Sequence, residues 1–152
     1  NKRRTACDGR RFKIYKLRSL KKISFDKTKQ VTKDDHRLLK IGRLIRRYSV
    51  DELPQFFNVL KGDMSIVGPR PHMVEHDIHY SKLFFNFLKR HKCNPGLTGW
   101  AQVNGLRGAT PKPSIMKRRM EFDLWYLNNW TIWLDLYIIF KTFYALIRYK
   151  GE

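Results

Sequence analysis

The spacing of apolar and polar residues changes several times along this chain, and each change marks an element. Residues 10–19 alternate, with Phe12, Ile14 and Leu17 set among Lys13, Lys16 and Arg18. That period predicts a short strand with one basic face. After a polar, turn-like stretch at 27–33, the period lengthens over 35–47 to that of a helix. Leu38, Ile41, Leu44 and Ile45 form its stripe, and Arg37, Lys40, Arg43, Arg46 and Arg47 surround it. A cationic amphipathic helix of this kind suits an anionic membrane surface or a solvated face of the domain.

A second helix is predicted from Ser49 or Asp51 to about Leu60, closed by Lys61-Gly62 as a C-cap. Ser49 and Glu52 have capping-box spacing, whereas Pro54 favours Asp51 as the cap, because its missing N–H then falls in the first turn. Either start places Asp51 and Glu52 at a helix N-terminus. Gly68-Pro69-Arg70-Pro71 excludes regular structure, since the prolines hold Arg70 away from helical conformations. Residues 72–90 read as helix with Val74, Ile78, Leu83, Phe84, Phe87 and Leu88 inward, 94–96 as a turn, 100–103 as a short strand before the turn Asn104-Gly105, and 113–148 as helix.

The stretch 130–147, 18 residues long, is close to the lower limit for a membrane span. It carries Asp135 and Lys141, and its aromatic residues are spread throughout instead of gathering at two ends. An interfacial or core-packed helix is the expectation. The whole predicts a compact mixed α/β (α+β) domain with several amphipathic interfacial helices and a small sheet.

Charge narrows the possible partners. The 152 residues hold 32 Lys and Arg against 13 Asp and Glu, a net +19, with 42% hydrophobic residues. So apolar a composition excludes a disordered basic tail and leaves a folded domain with an anionic partner. The surplus is uneven: residues 1–47 carry +14, residues 48–105 only +1 and residues 106–152 +4. Cys7 and Cys93 match no metal-site spacing and form no disulfide framework, so a reducing compartment is expected. The chain opens at Asn1 inside a basic run and reads as a piece of something longer.

Candidate chemistry lies in the near-neutral middle. Carboxylates at a helix N-terminus are favoured in their ionised form. With Arg43, Arg46 and Arg47 upstream and Arg70 on a proline-locked loop, Asp51-Glu52 suits attack on a phosphoryl centre. The guanidinium groups would hold phosphate oxygens, and a hard divalent cation such as Mg²⁺ would serve the same end. The Walker-type phosphate loop, GxGxxG, GxSxG and HExxH patterns are all missing. His72, His76 and His79 fall on one helical face near Glu75, but nothing completes a transition-metal shell. Phe12, Tyr15 and Phe25 among Lys and Arg keep a nucleic-acid-binding module as the rival class.

The run 49–71, SVDELPQFFNVLKGDMSIVGPRP, resembles the signature of the bacterial sugar transferases, the monotopic polyprenyl-phosphate phosphoglycosyl transferases. So do 94–105, NPGLTGWAQVNG, and the basic strand 12–20, FKIYKLRSL. Residues 107–110 and 120–142 resemble the branch that transfers a hexose phosphate in exopolysaccharide synthesis. The chain departs from the family pattern at Lys2 and Ala6, where Gln and Gly are usual.

The resemblance implies a reaction. A sugar 1-phosphate passes from a UDP-sugar to polyprenyl (undecaprenyl) phosphate, releasing UMP, with Mg²⁺ as cofactor. It implies that Asp51 is the nucleophile and a Mg²⁺ ligand, that Glu52 supports or deprotonates the second nucleophile, and that Arg70, Arg46 and Lys16 bind phosphate. Arg119 and Asp123 match a further block with a possible supporting role. It also implies a re-entrant membrane helix upstream. The chain then reads as the catalytic domain, 1–152, on the cytoplasmic face of the bacterial inner membrane. The N-terminal charge would meet anionic lipid, and nucleic acid is not an expected partner. A non-catalytic membrane-surface scaffold remains the other alternative.

Overall fold

The computed structural model describes residues 3–21, 37–108, 110 and 112–148. The turn predicted at 27–33 and the start of the helix predicted at 35–47 lie outside them. Two short strands, β1 (Arg3–Thr5) and β2 (Arg11–Lys13), pair antiparallel with Arg4 opposite Phe12. A 3-10 turn at Cys7–Gly9 joins them, and Gly9 takes a φ of 78° that closes it. The predicted strand at 10–19 is thus shorter, its ladder ending at Lys13. Its alternation holds for Phe12 and Ile14, which are buried with Ala6 and Met64 against Val59 and Leu97, while Leu17 is exposed.

Helix α1 (Lys40–Arg47) follows, and its apolar stripe turns outward, with Ile41 and Leu44 exposed. The predicted helix at 51–60 is two pieces: a 3-10 helix, Val50–Gln55, running into α2 (Phe56–Leu60). Gly62, at a φ of 74°, closes α2 as expected. Leu53, Phe56, Phe57 and Leu60 are exposed.

A second sheet was not foreseen. Strand β3 (Ser65–Val67) pairs in parallel with β4 (Gly96–Thr98), Ser65 facing Gly96 and Val67 facing Thr98. The ladder continues into the proline loop, where Gly68 N donates to Thr98 O and Gly96 N to Pro69 O, both at 2.9 Å. A side chain at Gly96 would press against the backbone of Gly68, so the two segments meet this closely only as glycines.

The predicted helix at 72–90 is interrupted. Helix α3 spans Val74–Leu83, Phe84 is extended, and a 3-10 helix runs over Phe87–Lys92. The break turns Phe87 inward onto Tyr80, Met116 and Met120, while Ile78, Leu83 and Leu88 face out. Residues 100–103 form a helical turn, α4 (Trp100–Val103), instead of a strand. It packs under the long helices, with Trp100 stacked on Trp125 at 4.9 Å.

Helices α5 (Pro113–Asn128) and α6 (Ile132–Arg148) divide the C-terminal stretch, and Thr131 Oγ1 accepts from Leu134 N at the start of α6. Among the described residues no helix is long and apolar enough to cross a membrane. Asp135 and Lys141 of α6 are satisfied within the domain. Asp135 accepts from Tyr126 and Trp130, and Lys141 donates to Asn104. Ile138 is fully buried with Val67 and Tyr126, while Trp133 (76%), Phe140 (74%) and Phe143 remain exposed.

Candidate active site

The site forms where the extended chain after β2 crosses the 3-10 helix Val50–Gln55. Leu17 N donates to Asp51 O at 3.0 Å, and Tyr15 N donates to Asn58 Oδ1 at 3.0 Å. Asn58, fully buried, also donates to Lys13 O at 2.9 Å. These bonds lock the basic strand against the carboxylate helix and leave Lys16 beside the acids.

The entry to that helix is unusual. Ser49 sits in the left-handed region at φ 56°, where a Cβ is strained. It makes no side-chain cap; its Oγ accepts instead from Arg107 Nη2 at 2.5 Å. The expected capping box is therefore absent, because the left-handed turn points the Ser49 hydroxyl away from the helix. The turn is closed by Glu52 N donating to Ser49 O at 3.0 Å.

Asp51 and Glu52 have different surroundings. Glu52 accepts from Lys16 Nζ at 2.7 Å and from Arg70 through both terminal nitrogens, at 2.5 and 3.3 Å, with Arg107 Nη2 at 3.8 Å. Burial opposes its ionisation, but the charges and hydrogen bonds of Arg70 and Lys16 prevail and hold its carboxyl well below the usual carboxylate range. Glu52 in turn raises the pKa of Arg70. Burial lowers that of Lys16, against the pull of Glu52.

Asp51 is only 5% exposed, yet its ion-pair partner among the described residues, Lys16, stands 3.8 Å from Oδ2, beyond hydrogen-bond reach. Burial raises its pKa, Glu52 adds to the rise, and Lys16, Arg46 and Arg70 oppose it. Arg46 itself leans on Ser19 Oγ at 3.5 Å. Among the described residues, a buried carboxylate thus stands outside hydrogen-bond reach of a cationic wall that its neighbour Glu52 fixes.

Five of the residues singled out in the sequence therefore converge: Asp51, Glu52, Lys16 and Arg70 in direct contact, and Arg46 acting on Asp51 by its charge. Arg119 and Asp123 do not enter the cluster. They lie inside the domain on α5, each 2% exposed, and Asp123 meets Arg90 at 2.8 Å. The histidine face also dissolves. His72 lies before the start of α3 at Val74 and is buried, its Nε2 without a partner among the described residues, and its neighbour Met73 bridges to Arg4 of β1. Among the described residues, no three or more His, Cys, Asp or Glu side chains could jointly hold a metal ion.

Sequence reading missed the roles of two arginines. Arg107 sits in the quoted block 107–110, and its place after the turn at Gly105 (φ 82°) was the available signal. Arg90, in the run FLKRHK, had no distinguishing mark.

The family model described as bacterial sugar transferase matches residues 1–149. The chain belongs to that family. Its similarity to curated bacterial sugar transferases is close. It is 48% identical, over 99% of its length, to the UDP-glucose:undecaprenyl-phosphate glucose-1-phosphate transferase of Xanthomonas campestris pv. campestris. Identity over 91% of the chain is 50% to the protein of the same name in Escherichia coli (strain K12) and 51% to that in Klebsiella pneumoniae. The match covers 31% of the first relative and 30% of each of the others, so the chain spans about a third of their length.

Proposed function

We propose that this domain transfers a hexose 1-phosphate from a UDP-sugar to polyprenyl (undecaprenyl) phosphate through a covalent intermediate on Asp51. The observation that carries the reading is the unequal treatment of two adjacent carboxylates. Glu52 is bound by Lys16 and Arg70 and held ionised, whereas Asp51 is buried and, among the described residues, has only Lys16 at 3.8 Å, beyond hydrogen-bond reach. A poorly solvated carboxylate is the better nucleophile of the two.

In the first step an Asp51 oxygen attacks the phosphorus that bears the sugar, and the bond from that phosphorus to the UMP oxygen breaks, its electron pair leaving with UMP. In the second, an oxygen of polyprenyl phosphate attacks the same phosphorus. The bond to Asp51 breaks, the carboxylate is restored and the polyprenyl-diphosphate sugar departs. Lys16, Arg70 and Arg107 meet the phosphate oxygens and lower the anion–anion repulsion at each approach. Glu52 supports the reaction by presenting these cations, and its depressed pKa makes it a poor proton acceptor in this arrangement.

The residues fit Mg²⁺. Asp51 offers hard oxygen atoms not committed to hydrogen bonds, and an ion that keeps waters and takes substrate phosphates needs only one or two carboxylates. Bound there, Mg²⁺ would neutralise phosphate charge and help align the donor. The exposed apolar residues of α1, α2 and α6, together with the net +14 of residues 1–47, support placement at an anionic membrane surface, which we assign to the cytoplasmic face of the bacterial inner membrane.

The test is UMP release by the full-length protein in its membrane, given UDP-glucose, undecaprenyl phosphate and Mg²⁺. A hexose phosphate attached to the Asp51 peptide, found by mass spectrometry when the acceptor is withheld, is the expected result. Absence of UMP release with every UDP-hexose supplied would overturn the reading.

A further inference from the structure

Behind the catalytic cluster lies a second group of charges that no substrate can reach. Arg90, from the 3-10 helix Phe87–Lys92, is 2% exposed. Its Nη2 donates to the backbone carbonyl of Arg70 at 2.7 Å and stands 2.8 Å from Asp123 Oδ2. The second is a charge contact without hydrogen-bond alignment, and Arg90 Nε and Nη1 have no partner. One turn earlier on α5, the equally buried Arg119 donates through Nη2 to the Gly108 carbonyl at 3.0 Å. Asp123 is the counter-charge that both arginines feel. Each of them therefore ends on the backbone of a segment whose own arginine, Arg70 or Arg107, faces Glu52.

We propose that Arg90 and Arg119 are positioning residues for phosphate transfer, setting through the Arg70 and Gly108 carbonyls where Arg70 and Arg107 meet the transferred phosphate. The inference rests on the transferase reading above. Arg70 and Arg107 themselves lie on irregular backbone just beyond the β3–β4 ladder and the α4 turn, where the Arg90 and Arg119 bonds bear on the course of the chain. Displacing a clamp by about 1 Å can cost about 100-fold in rate. For stability alone the arrangement is a poor choice. A buried ion pair commonly gains nothing over apolar side chains of equal volume, and here two guanidinium nitrogens are also left unpaired. Arg90 does pack on the Phe87 ring, 5.3 Å from its centroid, so a purely structural role is the competing explanation.

The two explanations separate in a double-mutant cycle on the full-length membrane protein, read as kcat/KM for UMP release. Arg90→Lys keeps a counter-charge for Asp123 and so preserves the fold, which an unchanged unfolding midpoint would verify. It should lower kcat/KM about tenfold or more in the wild-type background and less than about threefold when Arg70 is already Lys. Arg119→Lys should behave likewise against Arg107→Lys. Equal fold-losses in both backgrounds would overturn the proposal, as would wild-type turnover by folded Arg90→Lys and Arg90→Gln proteins. Absence of UMP release in the unmodified enzyme would instead sink the transferase reading, so the two failures are distinguishable.

Discussion

Arg70 grips Glu52 with both ends of its guanidinium group, Nη2 lying 2.5 Å from Oε1 and Nη1 3.3 Å from Oε2. This fork and the Lys16 bond to the same carboxylate keep the cationic wall of the site assembled before any phosphate arrives.

Glu52→Gln should therefore be destabilising. Removing one partner of a buried ion pair costs about 3–5 kcal/mol, and partial exposure of Arg70 and Lys16 places this case at the lower end. The sign with pH follows from the depressed folded-state pKa. Glu52 contributes its stability above the unfolded carboxylate value of about 4.3, and the contribution fades only as pH falls below that. Unfolding midpoints of wild type and variant should differ steadily between pH 7 and 5 and converge in stronger acid. A gap that closes already between pH 7 and 5 would refute the ion-pair account.

Asp51→Asn should do the opposite to stability while abolishing turnover. Asp51 is held with a raised pKa by burial, so its ionised form works against the folded state at neutral pH. Loss of UMP release by about a thousandfold or more, with an unfolding midpoint equal to or above wild type, is the expected pair of results. In the unmodified enzyme the acid limb of the rate profile should lie above the ordinary aspartate value of about 3.9.

Ser49 separates backbone strain from side-chain bonding. Ser49→Gly relieves the left-handed conformation but loses the Arg107 bond, whereas Ser49→Ala loses the bond and keeps the strain. Chemical denaturation should find the glycine variant more stable than the alanine variant by about 1 kcal/mol. Both should have reduced kcat/KM, because Arg107 is freed. An alanine variant as stable as the glycine variant would show that the turn carries no strain.

Asn58 joins the two halves of the site. It is fully enclosed, accepting from Tyr15 N and donating to Lys13 O. Asn58→Asp replaces that donor with an oxygen facing a carbonyl and should cost at least about 3 kcal/mol, more than Asn58→Ala at about 2. Activity should fall in both as Lys16 loses its register beside Glu52. Denaturant titrations in the reverse order would contradict this reading of the bonds.

Local patterns made part of this visible in advance. That Asp51, Glu52, Lys16, Arg46 and Arg70 come together is legible because residue type, proline placement and family resemblance agree on them. The C-cap at Gly62 and the irregular loop at Arg70 were legible for similarly local reasons. What could not be read depends on partners distant in sequence. The parallel pairing of β3 with β4 makes a strand out of an Asn-Pro-Gly turn signal. Trp100 follows a strand-like pattern but turns helical to stack on Trp125. The helix at 72–90 breaks because Phe87 has a core to enter. The partner of Asp123, Arg90, lies on another element and cannot be read from the motif.

The parallel pairing of β3 with β4 bears on how the enzyme comes into being. Asp51 and Glu52 sit on a local helix that can form early, but Arg70 reaches them only after Ser65 finds Gly96, and Arg107 follows β4 in the chain. Long-range parallel pairing must first meet the entropy of closing the intervening loop, so it is slow relative to helix formation. Pulse-labelled hydrogen exchange should find the Gly68 amide protected later than those of α5, and simultaneous protection would argue against this order. On the proposed reading, a nascent chain would then carry Asp51 and Glu52 well before Arg70 and Arg107 reach them, and the site would stay incomplete until β4 is in place.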